Sequence, residues 1–156
     1  MVHLQLPDGA TGSTVLDGQL VRSAEPLGMR IAENAAQYGD AVGTGWASLL
    51  LISPAIQAVL APFAGWELIT VSSPEHRLRG YAVLSVKGRI GPVVEDANGM
   101  GLYIDPATWD GNAVFKPENR RGVWMTGMVA SALRRARLKG LNIDRYLVWE
   151  PVRRDL

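Results

Sequence analysis

The chain has no cysteine among its 156 residues. That absence excludes disulfides, thiolate metal sites, Fe–S ligation and a cysteine nucleophile, and it fits a reducing compartment. Histidine is nearly as scarce. The two present, His3 and His76, stand 73 positions apart, and there is no HExxH, EF-hand or Cys/His spacing, so no metal site is expected. Scattered carboxylates at Glu95, Asp96, Asp105 and Asp110 read as solvated loop residues rather than as a hard-cation cage. An excess of either charge is also missing: 16 basic and 15 acidic side chains leave +1, so no global field draws nucleic acid or anionic lipid. Long unbroken apolar runs are lacking too. The stretch from Ala41 to Gly65 is interrupted by Gly43, Gly45, Ser53, Pro54 and Pro62 and is no single membrane span. The opening residues have neither the basic region nor the apolar region of a secretory signal. These absences give the expectation of a cytoplasmic protein with no cofactor, metal or membrane partner.

What remains is ordinary for a folded protein. Hydrophobic residues make up 47% and charged residues 20%, and Gly and Pro are spread without a low-complexity run, which argues against disorder. A chain of this length can bury about 68–70% of its unfolded surface, enough for one core and a single domain over 1–156. Charge is uneven along the sequence: residues 1–78 hold three basic and seven acidic side chains, residues 79–156 thirteen and eight. A mixed solvated surface accounts for this, since halves of a sequence need not become halves of a molecule.

The first residues read as short strands, with turns at Pro7-Asp8-Gly9 and at Asp17-Gly18, the latter a hairpin signal between Thr14-Val15-Leu16 and Gln19-Leu20-Val21. A helix is expected next, opening at Pro26, with Leu27, Ile31, Ala35 and Tyr38 on one face and Gly39 as its stop.

A unit then occurs twice. In the first copy, Ala47 to Ile52 reads as a buried strand, Ser53-Pro54 as cap and first helical residue, and Ile56, Val59, Leu60 and Phe63 as a helical face. Gly65 is the stop, and Trp66 to Val71 a return strand. In the second, Gly122 to Met125 is the strand and Thr126 the cap. Met128, Val129, Ala132, Leu133 and Ala136 form the face, Gly140 is the stop, and Leu141 to Trp149 the return. Ser53 matches Thr126, Ile56 matches Val129, Leu60 matches Leu133, and a two-residue insertion aligns Gly65 with Gly140. Between the copies, Arg79 to Val86 is apolar on both alternating faces, as a strand covered on both sides requires, and shorter strands are expected at Val93-Val94 and Leu102 to Ile104. The expected architecture is α+β: a mixed sheet with two or three helices packed against it and a doubled strand–helix–strand unit.

Candidate chemistry is sparse. Ser53 lies outside any G-x-S-x-G elbow, and its place before Pro54 and an apolar helix explains it as an N-cap. His76 sits in the polar turn Ser73-Pro74-Glu75-His76-Arg77, and Gly88-Arg89-Ile90-Gly91 is too short for a dinucleotide loop and runs into Pro92. The basic run Arg134-Arg135-Ala136-Arg137-Leu138-Lys139 falls near a helix C-terminus, where cations meet the helix dipole favourably without any nucleic acid. Of the five tryptophans, Trp66, Trp124 and Trp149 read as strand residues of the core. Trp109 differs, standing in the acidic loop Asp105 to Asn112, where it either folds back over the core or anchors an interface.

Three passages carry a resemblance: Leu50-Leu51-Ile52-Ser53-Pro54-Ala55 leading into an apolar helix, Trp109-Asp110-Gly111-Asn112-Ala113-Val114-Phe115, and Gly122 to Leu141 with its strand, hydroxyl cap, helix and Gly-Leu exit. Over about two-thirds of its length the chain resembles a divergent or shortened member of an immunity-protein family of bacterial polymorphic-toxin systems. The resemblance implies a non-enzymatic protein encoded beside a toxin, which binds the cognate toxin domain and blocks it. A surface of about 800 Å² per partner suffices for that. The surface expected to do so is the acidic loop region of Glu95, Asp96, Asp105, Trp109 and Asp110, which joins an aromatic anchor to charge that steers a basic partner. Two other readings stay open: a small hydrolase using Ser53 or His76, and an RNA-binding accessory domain using the basic run.

Overall fold

The computed structural model describes residues 2–5, 27–31, 38–44, 49–72, 76–95, 101–143 and 148–149. Among them are twelve strands and two α-helices, an α+β arrangement. The strands are β1 (Val2–Gln5), β2 (Leu27–Ile31), β3 (Ala41–Gly43), β4 (Leu50–Ile52), β5 (Trp66–Ser72), β6 (Ala82–Val86), β7 (Gly88–Ile90), β8 (Val94–Glu95), β9 (Leu102–Tyr103), β10 (Val114–Pro117), β11 (Trp124–Met125) and β12 (Val148–Trp149). The helices are α1 (Pro54–Leu60) and α2 (Gly127–Arg135), and short 3-10 turns lie at His76–Leu78 and Pro106–Thr108.

The largest sheet has six strands in the order β1-β2-β5-β6-β4-β3, with β2 parallel to β5 and the other pairings antiparallel. Strand β6 lies between β5 and β4, and all five of its residues are buried, which is how a strand apolar on both faces has to sit. On one face Leu84 and Val86 join Ile52, Ile56, Leu60, Val114, Val129 and Leu133 in a core cluster that seats both helices. On the other, Val83 and its cross-strand neighbours Leu51 and Ile69 are buried as well.

The chain leaves this sheet at Lys87. Strand β7 pairs in parallel with β10, and β10 pairs antiparallel with β11, giving a sheet of three strands; β12, β9 and β8 form another. The crossing is tight. Gly65 supplies its carbonyl to the amides of both Lys87 and Gly88, at 2.8 and 3.0 Å, while Val114 N–H bonds to Ala64 at 3.1 Å. A Cβ on Gly88 would overlap the Val114 carbonyl oxygen, and one on Gly65, whose φ is +105°, would meet the same atom. Two backbones approach here as closely as glycine permits.

Two expectations about elements need correction. The segment from Pro26 was read as the opening of a helix, but Leu27–Ile31 is a strand, held by β1 on one side (Leu4 opposite Met29) and by β5 on the other (Leu27 opposite Val71). Leu27, Met29 and Ile31 alternate, so the four-residue step from Leu27 to Ile31 suits a strand as well as a helix, and pairing on both edges decides between them. The N-terminal hairpin, Ala35 and the strand residues Ala47 and Ser48 lie outside the described residues. The second correction concerns the helix stops. Helix α2 ends at Arg135, and the first left-handed residue after it is Arg137 (φ +53°), so Gly140 does not terminate it. Gly140 (φ +68°) instead lets the chain pass directly over Gly39, where a Cβ on either residue would meet the other's backbone. Residues Leu141 to Ile143 carry no strand, and among the described residues of the return expected from Leu141 to Trp149 the strand is β12. The doubled unit is thus a doubled local order: β4 belongs to the six-stranded sheet, whereas β11 belongs to another.

Candidate functional site

Ser53 is a helix cap. Its hydroxyl oxygen accepts from Ile56 N–H at 3.3 Å at the start of α1, with Pro54 as the first helical residue, and its O–H donates to Asp40 Oδ1 at 2.7 Å. Asp40 is a junction that sequence reading missed. Besides Ser53, its other oxygen Oδ2 accepts from Lys139 N–H at 2.7 Å, and its own amide donates to Lys139 O at 2.6 Å. One carboxylate therefore ties the edge of β3, the start of α1 and the exit from α2 together. Tyr81 donates to Gly39 O at 3.1 Å beside it. Burial, and then the negative charge of Asp40, push the Tyr81 hydroxyl above its ordinary pKa. Nothing in Asp40's neighbourhood in sequence marks this role, because its partners are 13 and 99 positions away.

The acidic loop is built from inside. Asp105 accepts from Ala107 N–H at 2.9 Å and so caps the 3-10 turn that Pro106 opens; Thr108 Oγ1 then accepts from Gly91 N–H at 2.9 Å. Asp110 and Arg89 exchange a reciprocal pair: Arg89 N–H to Asp110 Oδ2 at 2.7 Å, and Asp110 N–H to Arg89 O at 3.2 Å. Asp110 also takes the amide N–H of Asn112 at 3.0 Å and its side-chain amide at 2.9 Å. Burial raises the Asp110 carboxyl, but the two Asn112 donors, the Arg89 N–H and the Arg89 charge outweigh it and hold the group below its ordinary value. The loop is an added edge on β7 rather than a free excursion.

Trp109 rests on this frame. Its ring packs edge-on against Phe115 of β10, with centroids 6.2 Å apart and planes at 61°, and its Nε1 donates to Asn112 O at 2.9 Å. Even so, 40% of the residue is exposed. Of the two readings of Trp109, the fold-back is partly realised, since the ring covers Phe115, while the remainder of the residue faces solvent.

The structure gathers Asp105, Trp109 and Asp110 into one loop. Glu95 stands apart on β8, exposed and ion-paired with Arg120, and Asp96 lies outside the described residues. Arg89, Thr108 and Asn112, which fix the loop, were missed. Asp before Pro, and Asp-Gly-Asn, are turn and cap signals that could have announced the loop's order, although not its attachment to β7.

Other aromatic and basic residues divide differently from expectation. Trp66 is half-buried, and its Nε1 bonds to Leu60 O at 3.2 Å and Phe63 O at 2.8 Å, closing the carbonyl end of α1. Trp124 is half-buried as well. In the basic run only Arg134 and Arg135 lie on α2; Arg137 and Lys139 follow its end. Among the described residues, no group of three or more His, Asp or Glu side chains is placed to hold a metal ion, and no helix is long and apolar enough to cross a membrane. No protein-family model matches the chain, and no curated protein matches it.

Proposed function

We propose that this chain is an immunity protein: it acts in the cytoplasm, binds a toxin domain encoded beside it, and covers that domain without performing chemistry. The observation that carries the reading is Trp109, a large aromatic left 40% exposed on a loop fixed at both ends by its own aspartates. A pre-ordered aromatic loses little conformational freedom on binding, which is why tryptophan so often dominates interface energy. The commitments of Ser53 and Asp110 favour the same reading. Ser53, the serine of the hydrolase reading, is tied to a helix amide and to Asp40, and the best-defined carboxylate of the loop accepts from Arg89 and Asn112. Resemblance to the immunity family supplies the class of partner.

Co-expression tests it. The toxic C-terminal domain encoded next to this gene is expressed with and without the chain, and the two are then mixed and run on a sizing column. Restored growth together with a stable complex is the expected result. Killing that is unchanged, with the two proteins eluting separately, would end the proposal.

A further inference from the structure

A cavity of about 690 Å³ lies between α2, the β11 segment and the six-stranded sheet. It is a partly open cleft and not a void sealed in the interior, and Ile52, Leu84 and Leu133 of the core cluster form part of its lining. It is also within the range of small-molecule sites, about 300–1,000 Å³. Ile52, Leu84, Phe115, Trp124, Leu133 and Ile143 are among the side chains lining it. The wall is mixed, more apolar than polar, with Ser131 and Asn142 beside these side chains, and its apolar part suits a hydrocarbon chain.

Among the described residues, the charged side chains of the lining are of one sign: Arg121 and Arg134 contribute to it, and no aspartate or glutamate does. Both arginines are exposed, which puts them at the mouth, and Ser131 adds an exposed hydroxyl there. Arg134 makes a long contact of 3.4 Å from its guanidinium to the Ile143 carbonyl, which holds it across the rim without matching it to a carboxylate. A guanidinium fork fits the two oxygens of a carboxylate or phosphate, and an apolar cleft with cationic residues at its mouth selects a molecule of the same polarity.

We propose that this cavity binds an amphipathic anion, a medium-length acyl or alkyl chain within the cleft and a carboxylate or phosphate head on Arg121 and Arg134. Neither Trp109 nor the acidic loop lines it, although Phe115, against which Trp109 packs, does, so the cleft and the surface proposed for the toxin are neighbours that meet at Phe115.

Titration calorimetry on the full chain tests this with decanoate, decyl phosphate and decanol, each below its aggregation limit. One or both anions should bind at one per chain, with decanol about tenfold weaker, and the tighter anion identifies the head group. Arg121→Gln and Arg134→Gln should each weaken the anions about tenfold and leave decanol unchanged. Ala130→Phe, which puts a ring into the lining, should abolish binding. Because Ala130 is buried and the change could unfold α2, Ser131→Trp on the exposed rim serves as a second block, with circular dichroism confirming the fold of each variant. The proposal is overturned if none of the three compounds binds, if decanol binds as tightly as the anions, or if the arginine variants bind the anions like the unaltered chain.

Discussion

Ser53 and Thr126 occupy the same position in their two units, yet their hydroxyls act differently. Ser53 caps its helix, whereas Thr126 has cap backbone angles but makes no side-chain bond to α2, and its buried Oγ1 is without a hydrogen-bond partner among the described residues. A satisfied cap contributes about 1 kcal/mol, while a buried hydroxyl with no partner costs free energy. Ser53→Ala should therefore lower stability by about 1–2 kcal/mol, the loss of the Asp40 contact adding to that of the cap. Thr126→Val, which keeps the shape and removes the hydroxyl, should leave stability unchanged or raise it by up to about 1 kcal/mol. Urea melts of the two variants measure the contrast. Equal losses would mean that Thr126 caps α2 in solution after all.

Asp110 gives a pH dependence whose direction follows from its contacts. Its folded-state pKa is depressed, so its contribution is complete above the unfolded value for aspartate, about 3.9, and is lost as pH falls through the lower folded value. The carboxyl is largely solvated, so the effect on global stability is small and the loop is where it shows. In an NMR titration the Arg89 and Asn112 amide signals should shift together below the ordinary aspartate pKa. Asp110→Asn should remove that common titration. Amides that move independently would sink the assignment.

At the scale of elements, closeness of backbones matters more than caps. Gly65 and Gly88 stand where the chain passes from one sheet to the next, against Val114. Gly88→Ala should cost about 1–3 kcal/mol by pushing β7 away from β10, and Gly65→Ala more, because its left-handed φ adds strain to the overlap. Gly111→Ala is the useful control: it has a positive φ of 85° but open space around it, so only the conformational part remains. Thermal melts in the order Gly65, Gly88, Gly111, most to least damaged, are expected. These distinctions show what was legible in the sequence. The buried β6, the cap at Ser53 and the approximate position of α2 follow from local periodicity and side-chain type, and they were readable. That Leu27–Ile31 pairs on both edges, or that Gly140 serves an approach to Gly39 and not a helix end, depends on partners far along the chain, which no local pattern encodes. Trp109 could be picked out by its polar surroundings, but the hold of Arg89 on Asp110 could not.

For the whole molecule, the interleaving of strands decides what the charge pattern can mean. Strand β6, from the basic half of the sequence, lies between β5 and β4 of the acidic half, so the sequence halves do not become separate charged faces of the sheet. The order of strands therefore does not sort the two signs by sequence half, and the proposed toxin binding is expected to rest on local contacts such as Trp109. Truncating an aromatic anchor at an interface centre typically costs 2 kcal/mol or more, and such losses fall mainly on dissociation. For Trp109→Ala we expect toxin binding about thirtyfold weaker, with the change in the dissociation rate. The edge-on contact with Phe115 contributes about 0.5–1.5 kcal/mol to the fold, so a modest drop in melting temperature should accompany it. Trp109→Phe separates the two effects. It keeps an aromatic edge near Phe115 but lacks the donor to Asn112, so its stability should approach that of the unaltered chain while its binding stays intermediate. Interferometry on the complex, run beside melts of the free variants, reads both. If Trp109→Ala dissociates no faster than the unaltered chain, the partner docks elsewhere, and the exposed Met128 on α2 and Val94 on β8 become the next apolar positions to truncate.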